Sequence, residues 1–137
     1  MRSLIVLSAC IATTQACTCG AFPTLKQTFC AMDFVSHVKV LEQNSDNSKM
    51  VSLLVYSVEH LDVFKKPLSD ELSRKIKTPS LSGFCGARLK VGEEYLLGGM
   101  IDNDGVANIS LCGLNKEWNA LEPNEKEELA TYTCEQS

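Results

Sequence analysis

The cysteines constrain the fold of this chain more than any other residue type. Seven occur in 137 residues, and Cys10 lies within an apolar N-terminal run. The remaining even number is typical of a secreted protein with three disulfides and no free thiol. A bridge between Cys17 and Cys19 would be strained, so long loops between an N-terminal and a C-terminal group are favoured, although spacing alone does not choose the pairs. The six are Cys17, Cys19, Cys30, Cys85, Cys112 and Cys134.

Residues 1–16 have the features of a secretory signal peptide. Arg2 supplies a positive charge, a short apolar run follows, and Ala16 ends the segment with a small residue at the position that a signal peptidase reads. A membrane-spanning helix needs about 20 apolar residues, so this run is too short to span. We expect cleavage after Ala16 and a secreted, extracellular mature chain of residues 17–137.

Composition narrows the possible partners of the mature chain. Residues 17–137 contain 12 basic and 17 acidic side chains, a formal net charge of −5. This balance argues against nucleic acid or an anionic membrane as the main partner. No later segment is apolar enough for a membrane helix, and no repeat or linker divides the chain. We therefore expect one monomeric domain with no membrane insertion.

The local patterns predict mostly β structure. β-Rich or alternating composition predicts strands at residues 34–41, 51–60, 72–78, 94–101 and 106–111. The polar residues 42–48 are expected to form a loop, and Asp104-Gly105 predicts a tight hairpin.

Short helices are expected at the edges of this β structure. One is predicted at residues 24–32, and another begins near Pro123, with Leu121, Leu129 and Tyr132 facing inward. Trp118 is expected to belong to the core. Short antiparallel strands with peripheral helices indicate a small closed barrel.

The predicted mature N-terminus suggests a chemical role. As the first residue, Cys17 would present its α-amino group and carbonyl oxygen side by side. A catalytic zinc ion keeps an open coordination position, which these two atoms could occupy together. The amine must be unprotonated to bind, and an ordinary α-amino pKa of about 8 makes this accessible. His37 and His60 are the only histidines, and no zinc-ligand motif contains them. The chain therefore looks like an inhibitor, not an enzyme.

Several stretches agree in order and spacing with one known family. They are Cys17-Thr18-Cys19, Gln27-Thr28-Phe29-Cys30, Asp33-Phe34-Val35, Thr78-Pro79-Ser80, Phe84-Cys85-Gly86, Glu93 to Gly99, Asp104-Gly105, Ile109-Ser110-Leu111-Cys112, Trp118-Asn119-Ala120-Leu121 and Tyr132-Thr133-Cys134. Through them, residues 17–134 resemble the N-terminal, netrin-like domain of the tissue inhibitors of metalloproteinases. Because the chain stops three residues after Cys134, we expect it to lack the second domain of the vertebrate inhibitors and to resemble single-domain secreted forms of nematodes.

The resemblance implies a fold and a set of disulfides. The fold is mostly β with peripheral helices, an OB-type closed β-barrel of the netrin-like domain held by three disulfides. The implied pairs are Cys17–Cys85, Cys19–Cys112 and Cys30–Cys134.

The resemblance also implies a mechanism and its residues. Cys17 would chelate the zinc of a target metalloproteinase of the matrix type, and Thr18 would enter the specificity pocket beside it. Cys19 and Gly20 would continue along the cleft, and Phe84, Cys85 and Gly86 would form the neighbouring rim. The chain would need no cofactor of its own, since the zinc belongs to the target enzyme.

Two features leave alternatives open. Residues 20–24 and 36–38 depart from the usual family pattern, which affects the range of targets. Because netrin-like domains have more than one role, the chain could instead be a secreted interaction module or anti-inflammatory immune modulator that does not inhibit proteinases.

Asn108 begins an Asn-Ile-Ser sequence and is a possible glycosylation site.

Overall fold

Six strands and two short α-helices make up the part of the chain that the computed structural model describes, which is residues 19, 24–48, 50–67 and 71–134. In chain order they are α1 (Leu25–Ala31), β1 (Phe34–Asp46), β2 (Leu53–Lys65), β3 (Lys75–Pro79), β4 (Glu94–Ile101), β5 (Ala107–Asn108), β6 (Leu114–Glu117) and α2 (Pro123–Leu129). Single 3-10 turns occur at Ser82–Phe84 and Trp118–Ala120.

The strands pair into a closed ring. Strand β1 pairs with β2, β2 with β3, β3 with β5, β5 with β4, and β4 again with β1, while β6 pairs with β4 outside the ring. The β3–β5 pair is parallel and the others are antiparallel. A ring of five strands with helices at its edge confirms the predicted fold class.

Two apolar clusters occupy opposite faces of the ring strands. Neighbouring residues of a strand point to opposite faces, so β1 places Phe34 in one cluster and Val35 in the other. Strand β4 does the same with Leu97 and Leu96. The first cluster includes Tyr56 and Ile76 and lies within the ring. The second packs α1 and α2 against the outer face, so the helices cover the ring instead of closing it.

Helix α1 is held at both ends. At its start, the Thr24 hydroxyl oxygen accepts the Gln27 N–H over 3.1 Å, as an N-cap residue does. Near its end, Cys30 forms a disulfide with Cys134, with Cα atoms 5.5 Å apart. The Phe29 and Tyr132 rings meet edge to face at 5.1 Å, so the last described residues are bound to α1.

Helix α2 begins as its sequence indicates. Pro123 occupies the first turn, and Glu122 and Glu125 form a reciprocal capping box, in which Glu125 Oε1 accepts the Glu122 N–H over 2.9 Å. Leu129 is buried beneath the helix, as expected. Among the described residues, no helix has the length and apolar character that a membrane span requires.

The sequence-based elements agree with the structure in part. The strand at Glu94–Ile101 is confirmed, as are both helices and the Asp104-Gly105 hairpin turn, where Gly105 has φ +81°. The strand expected at 106–111 covers only Ala107–Asn108.

One expectation about the strands was wrong, and one strand was not predicted. Residues 42–46 belong to β1 and not to a loop, because their backbone pairs with Leu53–Ser57 although their side chains mostly face solvent. Strand β6 was not predicted, because its four residues have little β propensity, and it forms where Leu114 is buried beside Gly98 of β4.

Candidate functional site

The disulfide from Cys19 to Cys112 fixes the segment at Cys19 against the ring. Its Cα atoms are 5.2 Å apart, and Cys112 lies in the turn between β5 and β6. This bridge and Cys30–Cys134 confirm two of the expected pairings. Cys85 is also disulfide-bonded. Its expected partner Cys17 lies outside the described residues, as do Thr18 and Gly20.

A backbone hydrogen bond joins the loop at Cys85, which was predicted to flank the N-terminus, to the residue before Cys112. The Leu111 N–H donates to the Cys85 carbonyl oxygen over 2.8 Å. Because Leu111 precedes Cys112, the turn that holds Cys19 lies directly beside the loop that holds Cys85. The structure therefore brings Cys19, Phe84, Cys85 and Gly86 into one region.

The conformation of the loop at residues 80–86 is tightly specified. Cys85 has φ +66°, in the left-handed region that residues with a Cβ seldom adopt. Gly86 is buried, and a Cβ there would lie 1.9 Å from the Pro79 carbonyl oxygen. At the start of the loop, Ser80 donates its N–H to the Ser52 carbonyl oxygen over 3.0 Å. Only glycine at position 86 allows the loop to lie this close to the end of β3.

Three large apolar side chains are exposed around this loop. Leu81 is 56% exposed, Phe84 55% and Leu111 54%. Leu81 and Phe84 share one 3-10 turn, in which the Phe84 N–H donates to the Leu81 carbonyl oxygen over 3.0 Å. We call these three residues the apolar rim. Exposed apolar groups held by a rigid backbone are suited to contact another protein surface.

Leu111 was not among the sequence-based candidates. Its position directly before Cys112 was the available signal, since the bridge from Cys112 returns to Cys19. The hydrogen bond to Cys85 could not be inferred, because the two residues are 26 positions apart in the chain. The two residues become neighbours because β3 pairs with β5, and this pairing is known only from the structure.

The two histidines have structural partners. The His37 Nε2 atom lies 2.7 Å from Glu94 Oε1, and its ring stacks on Trp118 at 3.6 Å. Trp118 is half-buried against the second apolar cluster, as expected of a core residue. His60 Nδ1 lies 2.8 Å from the Ser36 hydroxyl oxygen. Among the described residues, no three His, Cys, Asp or Glu side chains are grouped so that they could hold a metal ion.

Asn108, the possible glycosylation site, is half-buried on β5. Its Nδ2 atom donates to the Val106 carbonyl oxygen over 2.9 Å and lies 3.4 Å from Asp102 Oδ2. The atom that would bear a glycan is therefore engaged within the fold.

Comparison with known proteins places the chain in a family. A family model described as "Tissue inhibitor of metalloproteinase" matches residues 15–136. A "Putative metalloproteinase inhibitor tag-225" of Caenorhabditis elegans is 40% identical over 120 residues, which cover 81% of this chain and 75% of that protein. "Metalloproteinase inhibitor 2" of Homo sapiens is 28% identical over 134 residues, 92% of this chain and 60% of that protein. The protein of the same name from Gallus gallus is 31% identical over 123 residues, 84% of this chain and 54% of that protein.

The alignments with the vertebrate proteins therefore span little more than half of their length, whereas they include most of this chain. The matched family region extends over the ring, both helices and the loops beside Cys19 and Cys85. It also contains Cys17, Thr18 and Gly20. The chain belongs to the tissue inhibitor of metalloproteinase family.

Proposed function

We propose that this protein is secreted and inhibits zinc metalloproteinases through its mature N-terminus, without being an enzyme itself. In this mechanism the α-amino group and carbonyl oxygen of Cys17 chelate the zinc ion of the target, and Thr18 enters the adjoining pocket. Membership of the inhibitor family supports the proposal at the level of function.

The hydrogen bond between Leu111 and Cys85 is the observation that best supports a target-binding surface beside the N-terminus. It places the turn that anchors Cys19 beside the loop that contains Phe84. A residue two positions before Cys19 is within about 7 Å of it along an extended chain, so Cys17 would lie at the edge of this region. A terminus fixed by bridges loses little freedom on binding, which favours tight inhibition.

The apolar rim would supply the contact area around the chelating terminus. Leu81, Phe84 and Leu111 stand exposed on backbone that is already ordered. On binding they would be withdrawn from water against the apolar walls of a substrate cleft. Burial of such surface contributes roughly 25 cal/mol per Å² before the costs of association are subtracted.

The α-amino group offers a sharp test. Protein beginning at Cys17 is compared with a version that has one extra alanine before Cys17, both with verified disulfides, against a panel of matrix metalloproteinases. We expect inhibition by the first and its loss in the second, because an amide nitrogen cannot replace the amine as a zinc ligand. Equal inhibition by both would reject the chelation mechanism. Absence of inhibition by both would favour the interaction-module alternative.

A further inference from the structure

Thr78 is one of two buried serine or threonine side chains among the described residues, the other being Ser36. It is fully buried near the end of β3, and its hydroxyl oxygen accepts the Ala87 N–H over 2.8 Å. A buried N–H group without a partner is costly, so this contact strongly favours one position for Ala87. Ala87 directly follows Cys85-Gly86.

The Thr78 contact closes the base of the loop at residues 80–86. The loop leaves β3 after Pro79 and returns to the same strand at Ala87, opposite Thr78. Gly86 packs against the Pro79 carbonyl oxygen inside this closure. Arg88 Nη2 donates to the Ser80 carbonyl oxygen over 2.6 Å and bridges the same two chain segments. The backbone that follows Cys85 is therefore held by two hydrogen bonds, one from Ala87 to Thr78 and one from Arg88 to Ser80.

We propose that Thr78 is a positioning residue for inhibition, which holds Cys85 and the apolar rim in the geometry that the target enzyme meets. This inference rests on the proposed inhibitory function. Thr78 is buried and would not touch the target. It would act through Ala87 and Gly86 on Cys85, and through the Cys85 carbonyl oxygen on Leu111.

Ser36 provides a matched control for this role. It is also fully buried, and its hydroxyl group makes a hydrogen bond with His60 over 2.8 Å. Its strand β1 pairs there with Val63 of β2 and Leu97 of β4, and its hydrogen bonds involve none of the loop residues 80–86. Replacing Ser36 by alanine removes the contacts of its hydroxyl group with His60 and with the Asp62 carbonyl oxygen. Only replacement of Thr78 removes a contact at the base of the loop.

The experiment compares Thr78→Val, Thr78→Ser and Ser36→Ala in the mature protein beginning at Cys17. We expect Thr78→Val to weaken inhibition by about tenfold or more, while Thr78→Ser and Ser36→Ala stay within about threefold of the natural protein. All proteins are assayed at a temperature where unfolding curves show them fully native. Equal weakening by Thr78→Val and Ser36→Ala, or no weakening by either, would overturn the positioning role.

A second readout does not depend on inhibition. The rate at which dithiothreitol reduces the disulfide at Cys85 is measured by mass spectrometry, with the Cys30–Cys134 bridge of the same molecule as the internal reference. We expect Thr78→Val to speed reduction at Cys85 by about tenfold relative to the reference, since the loop opens more often. An unchanged ratio would contradict the proposal. If the natural protein inhibits no enzyme, the proposed function fails and this ratio alone decides the role of Thr78.

If Thr78→Val does not fold, hydrogen exchange in the natural protein tests the positioning role instead. The positioning role predicts that the Ala87 and Leu111 amides are protected together, to the level of the ring strands. Exchange of either amide at the rate of an exposed loop would overturn it.

Discussion

The backbone N–H of Leu111 donates to the carbonyl oxygen of Cys85 over 2.8 Å. Through this bond, the turn bridged to Cys19 and the loop that contains Phe84 form one rigid surface. An inhibitor that acts through its N-terminus needs such a surface beside that terminus, because the ordering cost is then met during folding and not on binding.

Substitution of Phe84 by alanine should weaken inhibition and leave stability almost unchanged. Phe84 is 55% exposed, so the side chain contributes little to the folded core and is free to contact a partner. We expect an inhibition constant about tenfold higher, equivalent to ~1.4 kcal/mol. Val91→Ala is the matched control, because Val91 is also 55% exposed and lies in a separate turn before β4. Equal effects of the two substitutions in inhibition assays would argue against a specific role for the rim.

Lys65 should stabilise the end of α1. Its Nζ atom donates to the carbonyl oxygens of Met32 over 2.5 Å and of Phe29 and Cys30 over 3.2 Å each. A lysine has three donors, and a cation is favourable at the C-terminal end of a helix. We expect Lys65→Met to lower the free energy of unfolding by ~1–3 kcal/mol in urea titrations.

Lys39→Met provides the comparison for Lys65, because the Lys39 side chain is exposed on β1. It should change the free energy of unfolding by less than about 0.5 kcal/mol. A loss of similar size in both variants would show that charge, and not the contact with α1, is responsible.

Asp46 should make stability depend on pH in the acid range. Hydrogen bonds from Ser48, and then the nearby Lys77 ammonium group, lower the pKa of Asp46 from 3.8 to about 2. Since the folded pKa is below the ordinary value, the stabilisation is fully present above pH 3.8 and is lost as the pH falls toward 2. The fall in melting temperature between pH 6 and pH 2 should therefore be smaller in Asp46→Ala than in the natural protein. Identical falls would contradict this assignment.

Asn108 should remain without a glycan in protein made by secretory cells. Its Nδ2 atom donates to the Val106 carbonyl oxygen, and β5 is paired on both sides, with β3 and with β4. An attached sugar would have to displace this contact. The measurement is the intact mass before and after treatment with an endoglycosidase, with Asn108→Gln as the reference. A mass loss that is absent from the variant would show the site to be occupied.

The sequence predicted the elements whose signals are local. Helix α2 could be placed from Pro123 and the acidic residues after it, and β4 from the apolar residues between Glu94 and Ile101. The extension of β1 through Asp46 was missed, because its side chains are polar and give no strand signal, although its backbone pairs with β2. Pairing of this kind depends on the partner strand and not on the residues themselves.

The sequence named candidate site residues, and the contacts that hold these residues in place could not be predicted from it. Phe84, Cys85 and Gly86 could be proposed because a family resemblance contains them. The roles proposed for Thr78 and Leu111 depend on two hydrogen bonds. One joins Thr78 to Ala87, 9 positions away, and the other joins Leu111 to Cys85, 26 positions away. No periodicity in the sequence indicates such contacts, since they arise only when the ring of strands has closed.

Competition with a small zinc ligand tests the central claim most directly. The inhibition of one matrix metalloproteinase by protein beginning at Cys17 is measured at increasing concentrations of acetohydroxamate, which occupies the catalytic zinc. If Cys17 binds that zinc, the two inhibitors exclude each other, and the apparent inhibition constant of the protein rises in proportion to the hydroxamate concentration. An apparent constant that does not change with hydroxamate would mean that the protein binds away from the zinc, and the account would be wrong.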